Sequence, residues 1–276
     1  MEMIKVFLED LLARVTSRNI LFKRNLLKEY LQIVVLDYIY SHPAYSNLVF
    51  YGGSCLSHCF GLNRLSEDID FIDIKKEINI SQLAEDIKGY FNKNTDIKIK
   101  TSIQKFRIYL KFPVLKELNL AEPSESDLLF LKVKVFKEFR SCKDYKIQFI
   151  PVMRFNKSII IKTFDLSTLM ATKIMAILHR KWEKTDKNGR TIIKVKGRDY
   201  FDLLWYLKKG IIPNIRCIEG IKTKEELKKK LLKIVEDIDQ KSIQLDLEQF
   251  IESDAFIKSL SKNIKEILLP EIEAKL

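Results

Sequence analysis

Residues 48–73 read LVFYGGSCLSHCFGLNRLSEDIDFID, and the fold turns on how this stretch is read. Leu48 to Tyr51 is a short apolar run that predicts a buried strand. Gly52 and Gly53 predict a tight turn, and Ser54 the opening of a helix. After an irregular loop, a second strand is expected to carry Asp68, Asp70 and Asp73. Side chains alternate along a strand, so Asp68 and Asp70 project from one face and Ile69 and Phe71 from the other. A helix N-terminus opening on Gly-Gly-Ser presents backbone N–H groups that favour a phosphate. Two carboxylates on one face can hold a divalent cation against that phosphate. The bland alternative is a tight turn and helix cap followed by exposed strand aspartates. Aspartate is depleted in strands, however, so a cluster of three asks for a reason beyond propensity. Either motif alone is weak; strand, Gly-Gly-Ser, helix and Asp-x-Asp strand in that order is specific.

The rest of the chain bounds this reading. With 276 residues, 46% of them hydrophobic, a sizeable core is affordable and global disorder is excluded. Only 8 Gly and 6 Pro point to mostly regular structure. No apolar run reaches the roughly 20 residues of a membrane span. The N-terminal MEMIKVFLEDLLARV has acidic residues inside its apolar segment and no small-residue cleavage site, so it does not read as a signal peptide. The four cysteines, Cys55, Cys59, Cys142 and Cys217, form no disulfide framework or CxxC pair, which suits a reducing cytoplasm. Cys55, His58 and Cys59 share one short helix, and with no second ligand cluster they read as buried thiols rather than a zinc site. A net charge of +12 permits a polyanionic partner and equally describes a lysine-rich solvated surface.

In chain order, residues 3–16 and 20–41 predict helices, the second with an apolar stripe of Leu27, Tyr30, Leu31, Val34, Val35 and Ile39. Residues 80–91 predict a helix capped by Ser81 or Asn79. Alternating patterns at 97–101, 106–112 and 128–139 predict strands of a half-solvated sheet, and 147–151 and 158–162 two more. Residues 166–182 and 198–208 predict amphipathic helices. The segment between them carries eight basic and two acidic residues from Arg180 to Arg198, with a hairpin expected at Asn188-Gly189 and a return strand at 191–195. Helices are expected at 225–237, 246–252 and 254–269. The layout is α+β: N-terminal helices (1–47), a mixed-sheet core (48–165) and a helical C-terminal domain (166–276).

GGSCLSHCFGLNRLSEDIDF resembles the first motif of the DNA polymerase β-like nucleotidyltransferase superfamily, in particular its AbiEii (MenT-like) toxin branch. That branch has GG(S/T)-x-L followed by R-x-S-x-D-x-D-(F/L), matched here by Gly52, Gly53, Ser54, Leu56, Arg64, Ser66, Asp68, Asp70 and Phe71. A helix bearing a lysine and a basic-x-Asp-x-x-Asp-Leu motif follow in the same order, through LSTLMATKIMAIL and KGRDYFDLL, that is Lys173, Arg198, Asp199 and Asp202. The resemblance spans residues 48–208. It implies a polymerase β-like core and catalysis by Asp68, Asp70, Lys173 and Asp199. Asp68 and Asp70 would hold Mg²⁺ or Mn²⁺. Gly52, Gly53, Ser54, Arg64, Ser66, Lys132, Lys134, Lys173 and Asp202 would contact the NTP. One departure stands out: such enzymes usually place a third carboxylate on a later strand, where FLKVKVFKE offers Lys132 and Lys134. The expected activity is transfer of NMP from an NTP to RNA, with the tRNA 3′ end as acceptor, by a cytoplasmic toxin with a cognate antitoxin. A protein or small-molecule acceptor, and a catalytically dead RNA- or partner-binding scaffold, are the alternatives.

Overall fold

The structure is a computed structural model that describes residues 1–139, 142, 144–180, 183–185, 188–189 and 191–276. The chain divides into two compact units, one of residues 1–139 and 148–163, the other of residues 140–147 and 164–276.

The first unit is built on a seven-stranded mixed sheet. Its strands are β1 (Val49–Tyr51), β2 (Asp68–Ile72), β3 (Lys100–Gln104), β4 (Arg107–Pro113), β5 (Leu128–Phe136), β6 (Ile147–Arg154) and β7 (Lys157–Phe164), ordered β3-β4-β5-β2-β1-β7-β6. β1 pairs antiparallel with β2 and parallel with β7, while β2 pairs parallel with β5. Helices α1 (Ile4–Ala13), α2 (Ile20–Ser41), α3 (Gly52–Phe60) and α4 (Ile80–Asn94) complete the unit. The Asn19 side chain caps α2 by accepting from the Leu21 and Phe22 amides, and Asn79, not Ser81, caps α4 in the same way. Strict alternation of burial along β4 and along β5 from Leu129 puts Ile108, Leu110, Phe112, Leu131, Val133 and Val135 into the core.

Two boundaries in the opening stretch differ from the sequence reading. The glycines are not a separate turn: Gly52 and Gly53 are the first residues of α3, so the helix starts two residues before Ser54. β2 ends at Ile72, and Asp73 lies beyond it, accepting from the Glu77 and Ile78 amides and pairing with Lys137. Asp73 is thus a loop brace, because its carboxylate satisfies turn amides rather than joining the face of Asp68 and Asp70.

The second unit is helical: α5 (Leu166–His179), α6 (Gly197–Lys208), α7 (Lys224–Glu236), α8 (Gln240–Leu247), α9 (Asp254–Lys262) and α10 (Ile264–Lys275). The expected hairpin is present as β8 (Lys184–Thr185) antiparallel to β9 (Thr191–Ile193); of the basic segment, positions 181, 182, 186, 187 and 190 lie outside the described residues. The helix expected at 246–252 is instead α8, which Asp239 caps and which ends at Leu247, and 254–269 is broken at Asn263 into α9 and α10. At Gly197 a Cβ would lie 2.8 Å from the Ile243 carbonyl, so only glycine lets α6 and α8 approach this closely. Arg198 next to it is bound to Asp246 and stacks 3.8 Å above the Phe250 ring. The expectation for the cysteines is corrected at one pair: Cys142 and Cys217 are joined in a disulfide. They are 75 residues apart, and the fold brings them together as Asn214 donates to the Asp144 carbonyl at 2.6 Å and Arg216 pairs with the Asp144 carboxylate. Spacing alone could not have paired them.

Candidate active site

In the first unit, the strand–helix–strand arrangement of β1, α3 and β2 brings the glycines and the two aspartates together. Gly52 has φ +85°, in the left-handed region, and a Cβ there would stand 2.9 Å from Asp70 Oδ2. The carboxylate is therefore seated against the N-terminal turn of α3, where the helix dipole favours negative charge. A Cβ on Gly53 would lie 2.7 Å from Arg64 Nη2 and 3.2 Å from Ser66 Oγ. Gly52 is required by its positive φ, and the side chains of Arg64 and Ser66 around Gly53 show that the loop preceding β2 is folded onto the start of α3.

The motif residues between them are structural braces in their side chains. Buried Ser54 donates its hydroxyl to the Asp68 carbonyl at 2.7 Å, and buried Arg64 donates to the Leu65 carbonyl at 2.8 Å. Ser66 is half-buried beside Gly53. What α3 can offer an anion is its first-turn amides, by helix geometry, not the Ser54 hydroxyl.

Asp68 and Asp70 share a face, as the alternation required. The parallel pairing of β2 with β5 sets Lys132 opposite Asp68 and Lys134 opposite Asp70. Lys134 Nζ lies 2.7 Å from Asp68 Oδ2 and 3.1 Å from Asp70 Oδ1, and Lys132 Nζ 4.0 Å from Asp68 Oδ1. Burial alone would lower the Lys134 pKa, but the Asp70 and Asp68 carboxylates outweigh it and raise it above the usual value. The strand register thus puts lysines where a third carboxylate was sought. Among the described residues no group of three His, Cys, Asp or Glu could hold a metal. Two co-facial carboxylates that clasp an ammonium nevertheless fit a cation of the Mg²⁺ type, which commonly takes one or two protein carboxylates and completes its shell with water and substrate phosphate.

In the second unit, α5 and α6 bring together Lys173, Asp199 and Asp202. Lys173 Nζ lies 2.8 Å from Asp199 Oδ1 and 2.7 Å from Asp202 Oδ2, and Arg180 Nη1 lies 2.8 Å from Asp199 Oδ2. All three motif residues are nearly enclosed; the Asp202 side chain is 0% exposed. The sequence reading passed over Arg180 as a partner; it is the C-cap residue of α5, with extended backbone, and reaches Asp199 from the end of the helix. Beside Asp199 is a pocket lined by Arg180, Lys194, Lys196 and Tyr200. Burial, and then the like charges of Arg198, Lys173 and Arg180, bring the Lys196 pKa down to about 8 against the pull of Asp199. The cluster therefore carries more cationic than anionic side chains, which suits an oxyanion.

Two measurable consequences arise here. Burial would raise the Asp199 pKa, but Lys173, Lys196 and Arg180 overcome it and hold it at about 2, below the ordinary 3.8. The stability this contributes, about 2 kcal/mol, is present above pH ~4 and is lost as pH falls toward 2. Thermal melts from pH 6 to pH 2 should show wild type losing this increment relative to Asp199→Asn; parallel curves would refute it. Lys196 has the opposite sign. A lysine whose folded pKa lies below its unfolded value destabilises the fold at any pH below about 8. Lys196→Met should therefore raise stability at pH 7 by about 1 kcal/mol or more, seen as a higher Tm, and a lower Tm would show that the ammonium is compensated in the folded state.

Residues 35–274 match the family described as nucleotidyl transferase AbiEii toxin, type IV TA system. Among solved structures, MenT4, a nucleotidyltransferase toxin from Mycobacterium tuberculosis, superposes with a TM-score of 0.54 at 11% identity, over 98% of this chain and 89% of that one. JHP933 from Helicobacter pylori superposes with a TM-score of 0.47 at 18% identity, over 91% and 94%. No curated protein matches the sequence.

Proposed function

The chain belongs to the AbiEii nucleotidyl transferase toxin family of toxin–antitoxin systems, and from that premise we propose that it transfers NMP from an NTP to an RNA acceptor, the tRNA 3′ end, and so blocks translation. The observation that carries the reading is the co-facial pair Asp68 and Asp70 seated against the Gly52-Gly53 start of α3. In this reading Asp68 and Asp70 hold Mg²⁺ or Mn²⁺, with the α3 amides facing the NTP phosphates. A bound divalent ion would supply charge stabilisation at the reacting phosphate. Lys132 and Lys134 contribute positive charge beside the carboxylates, and Gly52, Gly53, Ser54, Arg64 and Ser66 shape the loop. Lys173 is assigned to the phosphates, Asp199 to catalysis, and Asp202 to orienting Lys173. A hydroxyl of the acceptor displaces pyrophosphate from the α-phosphorus.

The net charge of +12 and the basic stretch from Arg180 to Arg198 support a polyanionic acceptor. A toxin–antitoxin family implies an antitoxin partner, and no helix among the described residues is long and apolar enough to cross a membrane. Purified protein incubated with Mg²⁺, each labelled NTP in turn and total tRNA should label the RNA. Label appearing only on protein or on a small molecule such as an aminoglycoside would redirect the acceptor. RNA binding without any transfer, unaffected by loss of Asp68, would identify a binding protein instead.

A further inference from the structure

The inner side of α2 is not purely apolar. Glu29 and Gln32 are buried there at 5% and 0% exposure, and His58 on α3 at 8%. Buried polar groups of this kind are costly unless their hydrogen bonds are made, and here they are made in a sequence with one possible direction. Arg154 at the end of β6 has only donors, so its Nη1, 3.1 Å from His58 Nδ1, must donate to it. His58 Nδ1 is then the acceptor and Nε2 carries the proton, donated to Gln32 Oε1 at 2.8 Å. Gln32 Nε2 in turn donates to the Ser66 carbonyl at 2.8 Å. The guanidinium charge is balanced by Glu29, 3.0 Å from Arg154 Nη2, whose other contact is the Ser57 hydroxyl at 3.3 Å.

The chain ends at the segment that delivers the aspartates. Ser66 precedes Asp68 by two residues, and the Asp68 carbonyl is itself held by Ser54. With both carbonyls pinned, by Gln32 and by Ser54, the path of residues 66–68 is fixed through contacts other than those of the carboxylates with Lys132 and Lys134. We propose that Arg154, His58 and Gln32 are positioning residues that set the spacing of Asp68 and Asp70, and through it the affinity of the site for a divalent cation. The proposal rests on the reading of that pair as a metal site. Burial, and the nearby Arg154 charge, lower the His58 pKa to about 3, so the neutral, Nε2-protonated ring is the form present at neutral pH.

Two measurements on the full chain test it. Mn²⁺ binding, followed by the signal of the free ion in electron paramagnetic resonance, should weaken roughly tenfold to hundredfold in Gln32→Met and in Arg154→Met, as outer-shell losses do. Arg154→Lys, which keeps a donor for His58, should recover part of the loss. Gln32 is enclosed and its variant could fail to fold; Arg154, with a side chain 34% exposed, gives the same test from the far end of the chain. The second measurement is the ¹⁵N spectrum of the histidine rings, where His58 should appear as the neutral Nε2–H tautomer from pH 8 to pH 5. Unchanged Mn²⁺ affinity in both variants, with affinity lost in Asp70→Asn, overturns the positioning role and leaves the metal site standing. A His58 protonated at Nδ1 overturns the directed chain. A wild-type protein that does not bind Mn²⁺ overturns the metal reading and the proposal with it.

Discussion

Asp70→Asn is expected to lower nucleotidyl transfer by roughly 10³-fold or more, the scale on which removing a group that stabilises transition-state charge acts. The amide has the shape of the carboxylate but lacks its charge, and a hard divalent cation discriminates on charge. The substitution should leave the fold intact. Asp70 is about one-fifth exposed, and Lys134, which it releases at 3.1 Å, keeps Asp68 at 2.7 Å. Substitutions at partly solvated sites with a remaining partner change stability little, within about 1 kcal/mol. Initial rates of label transfer from NTP to total tRNA in Mg²⁺, read beside a thermal melt, separate the two effects. A rate within tenfold of wild type, from a protein that melts normally, would remove Asp70 from the chemistry and with it the strongest support for a metal-dependent enzyme. Asp68→Asn should fall similarly in rate but also in stability, since Asp68 is within ion-pair reach of both Lys132 and Lys134.

Much of this site could be read directly from residues 48–73, because alternation on a strand is a local property. That Asp68 and Asp70 would share a face needed only the period of the backbone. What lies opposite them did not follow from local pattern. The β2–β5 pairing joins residues more than sixty positions apart, and its register alone decides that Lys132 and Lys134, not a carboxylate, face the aspartates. Boundaries were less legible than elements. Gly-Gly reads as a turn by composition, yet Gly52 and Gly53 open α3, because a positive φ at Gly52 redirects the chain straight into the helix. Asp73 reads as a third strand aspartate, yet amides at Glu77 and Ile78 claim it. In α2 the apolar stripe was visible and the buried polar interruptions in it were not. Glu29 and Gln32, three residues apart within the buried side, were the available signal, since a polar pair inside an apolar face must find partners. Lys173 and Asp202 were found through the ordered motifs; that they would pair directly required α5 and α6 to be packed together.

Lys173→Met is the substitution with the largest expected cost to stability, about 3–5 kcal/mol, as when one partner of a buried ion pair is removed. Methionine fills the same volume along the helix but leaves Asp202, 0% exposed, without the ammonium at 2.7 Å, and takes one of the two cations from Asp199. Arg180 still serves Asp199 at 2.8 Å, so the damage concentrates on Asp202. The melting temperature should fall on the order of 10 °C at pH 7. The pH dependence distinguishes charge from packing. Without the ammonium, burial favours protonated carboxyls, so the deficit relative to wild type should shrink as pH falls toward 5, whereas a packing defect would be the same at every pH. Lys173→Met combined with Asp202→Asn should recover most of the loss, as expected of two groups that interact directly. That stable double variant then answers the functional question the single one confounds. If it melts near wild type and still transfers no label, Lys173 acts through its charge on the substrate. If transfer returns with stability, Lys173 serves only to neutralise Asp202 and Asp199, and its assignment to the phosphates fails.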